Sequence, residues 1–173
     1  MFKVGDYIVY GKGKICIVDE IGPQDLPGTR TDRLYYTLSP VYSSETIFVP
    51  VDAPVFMRPV ITREEAVHLI QQIPAIQESA ALPGQDMDRR KLPEYYDHLI
   101  ESHNCQDLVQ LIITLYAKNR TALETGKRVC QTDQNYMKEA QAMLHGELAV
   151  ALQIPIENVA GYIGEVIQQM KNA

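Results

Sequence analysis

The chain has 173 residues, 46% of them hydrophobic and 22% charged, enough for one average domain or two small ones and too apolar for a disordered segment. Its 22 acidic and 16 basic side chains leave a formal net charge of −6, which excludes a sequence-independent coat for nucleic acid and leaves room only for local basic patches. Cys16, Cys105 and Cys130 are far apart and make no Cys-x-x-Cys pair, so they read as reduced thiols and not as a disulfide frame or a zinc site. The N-terminus enters alternating polar and apolar residues directly, without a secretory signal, and no apolar run reaches the roughly 18 residues of a membrane span. These features give the expectation of a soluble, cytoplasmic protein with no membrane partner.

The first 60 residues carry strand signals. Tyr7–Tyr10, Ile15–Val18, Leu34–Leu38 and Thr46–Val49 are short β-branched and aromatic runs, separated by Gly11 and Gly13, a long Gly22–Asp32 loop, Ser43-Ser44 and Asp52–Pro54. Four or five such strands are too few for a sandwich and predict a small, strongly bent barrel of the SH3 or Tudor type.

From Thr62 the hydrophobic period changes to that of a helix. Thr62-Arg63-Glu64-Glu65 has capping-box spacing, Ala66, Leu69, Ile70 and Ile73 mark an apolar face, and Pro74 is expected to end the helix. Residues 75–86 read as mixed, with Leu82–Asp86 a loop. Further helices are predicted near 88–102, 105–124, 132–152 and 156–171, with Asn104 and Thr132 as N-caps. The fold class is therefore α+β in two domains: a barrel over residues 1–60 and a compact all-α bundle of about five helices over 61–173.

Candidate chemistry is sparse. Gly11-Lys12-Gly13-Lys14 lacks the spacing of a phosphate loop and joins two strands, as a hairpin turn does. His98 and His103, five apart, fall on different helix faces, while His68 and His145 have no neighbour at ligand spacing. Glu64-Glu65 belongs to a helix N-terminus and Asp86/Asp88 to a turn; neither forms a general acid–base pair. Cys105 and Cys130, the nucleophile candidates, have no histidine partner in sequence. No catalytic group, metal or cofactor is expected, and the protein is read as a non-enzyme. Arg89-Arg90-Lys91 stands out. Three positive charges ahead of a helix oppose its dipole, so the cluster is a candidate for a phosphate backbone.

Phe2-Lys3-Val4-Gly5-Asp6, then Val9-Tyr10, a glycine turn and Ile17-Val18, resemble the start of the CarD/CdnL family of bacterial transcription regulators, a module shared with the transcription-repair coupling factor. Tyr35-Tyr36-x-Leu38 and Phe48-Val49-Pro50-Val51 fit its later strands; Asp88-Arg89-Arg90 and Ala140-x-x-Met143-Leu144-x-Gly146-Glu147-Leu148-Ala149 resemble its helical domain. The resemblance implies a monomeric regulator whose barrel docks on the RNA polymerase β subunit and whose helical domain stabilises the promoter open complex. On that reading Thr46, Ile47, Phe48 and Val49 form the docking edge, and Met87, Arg89, Arg90 and Lys91 meet DNA, weakly when the protein is free. Two positions depart from the family. Met87 stands where well-known members carry a wedge tryptophan, and Phe48 where some present an arginine. A module that binds polymerase or another partner, with little or no DNA contact, is the competing reading.

Overall fold

The computed structural model describes residues 1–79 and 90–172, and the chain divides into two compact units, Met1–Ile61 and Thr62–Ala173. The first is one antiparallel sheet of five strands: β1 (Tyr7–Tyr10), β2 (Lys14–Gly22), β3 (Tyr35–Pro40), β4 (Ile47–Pro50) and β5 (Met57–Pro59). Their order, β4-β3-β2-β1-β5, leaves β4 and β5 as the two edges. Ile8, Cys16, Val18, Tyr36, Leu38 and Val49 form the core cluster of this unit, with Phe2, Ile21, Ile47 and Met57 packed against it.

The opening Phe2–Asp6 motif has a mechanical cause. Gly5 takes a φ of +93°, the left-handed region that glycine enters without penalty, and the turn it makes is tied from both sides. Its N–H donates to the Val18 carbonyl at 2.7 Å, the Val18 N–H donates to the Asp6 carbonyl at 2.9 Å, and the Asp6 carboxylate accepts from the Lys3 N–H at 2.8 Å. Phe2 thereby reaches the Tyr36 ring, with centroids 5.9 Å apart, and its N–H donates to the Tyr36 hydroxyl. The N-terminal segment is fastened onto β2 and β3.

β2 is long because it serves two neighbours, β1 along its first half and β3 along most of its length. Its register with β3 slips between Val18 and Glu20, leaving Asp19 as a bulge whose carboxylate accepts the Ser39 hydroxyl. The long loop after β2 is anchored on β3, since Gln24 donates to the Thr37 hydroxyl at 3.2 Å and the Arg30 N–H to the Tyr35 hydroxyl at 3.0 Å.

The second unit contains five α-helices among the described residues: α1 (Arg63–Ser79), α2 (Leu92–Glu101), α3 (Cys105–Glu124), α4 (Gln131–Leu152) and α5 (Val159–Lys171), the last preceded by a 3₁₀ turn at Ile156–Asn158. Thr62 caps α1 as its spacing predicts, its hydroxyl accepting from the Glu65 N–H at 3.1 Å, and the Asn104 side chain caps α3 through the Gln106 N–H at 2.8 Å.

Pro74 does not end the first helix. It lies inside α1, which runs five residues further. A proline removes one amide bond from the helix interior, but Ile73 and Gln77 line a groove shared with Ile163 and Ile167 of α5, and that packing holds the helix across the gap. Thr132 is likewise not the cap of α4. Cys130 takes that place with extended backbone (φ −66°, ψ 132°), and Thr132 already belongs to the helix. The expected loop at Leu82–Asp86 lies outside the described residues, as do Met87 and Arg89.

Candidate functional site

The first candidate surface is the β4 edge. The Val51 N–H donates to the Leu34 carbonyl at 3.1 Å, which fixes the parity of the β3–β4 ladder. Antiparallel pairs alternate, so Val49 and Ile47 also turn their amides toward β3, whereas Phe48 and Pro50 turn theirs away. Pro50 has no N–H to offer, and its carbonyl accepts from Ala53 at 3.0 Å. The open stretch is therefore Phe48 with Thr46 preceding it. The Phe48 side chain is 39% exposed on the face opposite the core, while Val49 is buried within it. Beside them the β3–β4 turn exposes Val41 and Tyr42, which makes the edge apolar.

The opposite edge is less open. By the same parity, set by Gly11 donating to Phe56 and Val60 donating to Tyr7, β5 turns Met57 and Pro59 outward, and Pro59 again lacks a donor. Of the four residues singled out in the sequence, Ile47, Phe48 and Val49 lie on β4 and Thr46 immediately precedes it.

The second surface is a basic corner of the helical unit. Arg90 and Lys91 are exposed at the start of α2, with Lys91 at its N-cap. Leu92 and Pro93, next in the chain, line a cavity of about 390 Å³ together with Lys118, Lys127, Arg128 and Cys130. The α2 start thus meets the α3–α4 connection, and the join is pinned by the Tyr136 hydroxyl, which donates to Asp97 at 2.7 Å. Burial and that carboxylate push the Tyr136 hydroxyl up to about 12. Two helix N-termini, those of α2 and α4, sit at this corner and add their positive ends to it.

Lys118 is not available to a partner. Its ammonium is 2.7 Å from the buried Asp133 carboxylate; burial opposes its charge, and Asp133 more than offsets that, so its pKa is raised. The exposed cations of the corner are Arg90, Lys91, Lys127 and Arg128. The sequence pattern singles out only the first two of these, with Arg89. Lys127-Arg128 follows Gly126, whose φ of +74° closes α3: the Gly126 N–H donates to Leu123 and the Lys127 N–H to Ala122. A glycine after a helical run followed by two cations was the available signal.

The other candidate groups fall apart. Cys105 is buried and its thiol donates to Glu147 at 3.2 Å, and among the described residues no group of three or more His, Cys, Asp or Glu could hold a metal. No helix among them is long and apolar enough to cross a membrane.

Residues 2–61 match the family model of the CarD-like/TRCF RID domain, the span of the sheet unit. The sheet unit is a CarD-like/TRCF RID domain. That domain type interacts with RNA polymerase, which places the protein among RNA-polymerase-interacting proteins of transcription. The helical unit lies beyond the matched residues and is consistent with a CarD-like protein. No curated protein matches the chain.

Proposed function

We propose that this CarD-like protein is a bacterial, cytoplasmic transcription regulator that docks on the RNA polymerase β subunit through β4 and steadies the promoter open complex with its helical unit. The observation that carries the reading is the open β4 edge in a RID domain. An unpaired strand edge is a liability unless a partner uses it, and a strand of the partner laid against Phe48 and Thr46 would complete the ladder. Exposed Phe48, with Val41 and Tyr42 beside it, supplies the apolar contact where some relatives use an arginine.

The helical unit would then meet DNA through Arg90, Lys91, Lys127 and Arg128, with Met87 and Arg89 beside them in sequence. With a net charge of −6, DNA affinity depends on the tether to polymerase, which raises the effective concentration of the corner near the bubble. A rise of about 1.4 kcal/mol in the barrier to bubble collapse lengthens the open complex's life tenfold. Such a brace works as a monomer and needs neither a cofactor nor catalysis.

The test is a titration of RNA polymerase core enzyme with the full chain and with Phe48→Pro. This substitution deletes the outward amide and leaves the bonds to β3 in place. The expected result is saturable binding by the wild-type chain, weakened at least tenfold in the variant; equal affinities would remove β4 as the docking edge.

The second reading, an interaction module with little DNA contact, is favoured by the acidic balance and by Met87 in place of a tryptophan. Arg89→Glu with Arg90→Glu separates the two. If the open complex keeps its lifetime while polymerase binding persists, the brace is wrong and the module remains.

A further inference from the structure

We propose that the helical unit has a docking surface of its own, a groove bounded by α1, α3, α4 and α5 that seats the uncharged apolar face of an amphipathic helix of RNA polymerase. The groove encloses about 810 Å³. α1 and α5, which pack on each other, contribute Ile73, Ile163 and Ile167; α3 and α4, likewise packed, contribute Ile112, Ile113 and Met137. Val109 and Leu144 are buried at its floor, the isoleucines are half-buried, and Tyr116 is 63% exposed, so the groove has a closed floor and an open side. α5 shows the same deficit. Its apolar residues Val159, Tyr162, Ile163, Val166, Ile167 and Met170 recur at helical spacing, yet only Val159 is fully buried. Apolar surface gathered at one place on an already packed helix marks a position for a further element.

Charge and shape select the occupant. The groove carries no net charge. Its only ionised lining residues, Arg120 and Glu124, pair with each other at 3.2 Å, and burial lowers the His145 pKa, which keeps that ring neutral. On a chain of net charge −6, such a neutral stretch is complementary to an uncharged contact face. The α3 residues on the groove run from Val109 to Glu124, about 22 Å of helix, so a partner helix of similar length lies along it.

The open side decides between a helix and a hydrocarbon ligand. A hydrocarbon chain would leave apolar surface in water there, whereas an amphipathic helix inserts its apolar stripe and turns its polar face outward. The partner is polymerase because the RID domain of the same chain interacts with it, and a tethered second contact gains effective concentration. This docking requires that interaction, but neither β4 as its edge nor a DNA contact.

The experiment titrates RNA polymerase holoenzyme with the full chain and with Tyr116→Glu, Tyr116→Phe, Phe48→Pro, and Tyr116→Glu combined with Phe48→Pro. Tyr116 is exposed and glutamate is a good helix former, so the fold survives the change. Tyr116→Glu, which puts a carboxylate on the groove, should weaken binding about tenfold, while Tyr116→Phe should bind as the wild type does. The losses in Tyr116→Glu and Phe48→Pro should multiply, as they do at separate surfaces. Wild-type affinity in Tyr116→Glu would overturn the proposal. Wild-type affinity in Phe48→Pro alone would remove β4 as the edge and leave the groove in place, so the two failures are distinct. A photoreactive benzoylphenylalanine introduced at Tyr116 then identifies the occupant. Crosslinks to a helical polymerase segment with an apolar stripe are expected; crosslinks only within this chain, to a second copy of it or to DNA, or none at all, would overturn the docking.

Discussion

The two units present different surfaces to partners. The sheet unit offers a backbone edge, where recognition comes from amides at fixed spacing and one exposed aromatic ring. The helical unit offers charge, with four exposed cations and two helix N-termini at one corner. Backbone pairing is short-ranged and depends on register, whereas charge acts over about a Debye length and is screened by salt. A protein with both can hold one partner by shape and meet another by field, so each unit should fail in its own way when perturbed.

The largest effect should come from the sheet core. Tyr36→Ala removes a fully buried ring that supports Phe2, at a cost of about 3–5 kcal/mol, comparable with the whole stability of a domain of this size. Thermal melts followed by circular dichroism should show the strand signal lost at a temperature where the helical signal persists. A single shared transition would instead mean that the two units fold as one. Charge reversal at Lys127 and Arg128 tests the other side. It should reduce the slope of log affinity against log salt for forked promoter DNA by about 2, near 0.9 for each phosphate no longer neutralised, and leave polymerase affinity unchanged.

Smaller effects refine the picture within the helical unit. Asn104→Ala deletes the side-chain cap of α3 and should cost about 1 kcal/mol, a fall of a few degrees in the helical melting temperature alone. The smallest concerns alkaline pH. The Tyr136 hydroxyl is held up to about 12 in the fold, above its ordinary value of 10.0. Its stabilising share is therefore complete below pH 10 and lost as pH rises from about 10 to 12. Tyr136→Phe should be less stable than wild type at pH 8 and should lose less stability across that window. Denaturant titrations at both ends of the window would measure the difference.

Much of this was legible in the sequence because strands and helices have different hydrophobic periods. β1 to β4 and the caps at Thr62 and Asn104 follow from side-chain pattern and local hydrogen bonding. β5 was hard to locate because Met57–Pro59 is three residues long and lies among prolines; it is a strand through its pairing with β1, a long-range fact. Pro74 misled for a similar reason, since a local breaking tendency lost to packing against α5. The edge residues were readable as a short apolar run, but which amides face outward depends on the ladder's parity. The basic corner was half visible. Arg90-Lys91 and Lys127-Arg128 are far apart in the chain, and the packing of α2 against α3, with the Tyr136 bond from α4, brings them together.

The Asp19 bulge gives the sheet something like a reading frame. Before it, the even-numbered Cys16 and Val18 point into the core; after it, the odd-numbered Ile21 does, because one residue has been counted without being paired. A chain lacking only Asp19 would lose the bend and the bond to Ser39, yet Val18 and Ile21 would both still face the core. A chain lacking Ile17 instead would make Cys16 and Val18 neighbours, and one of them would have to turn to water. The strand therefore has one position where the count can change and others where it cannot. An intact frame up to Val18 is what lets β3, and through it β4, present Phe48 and not its neighbours to a partner.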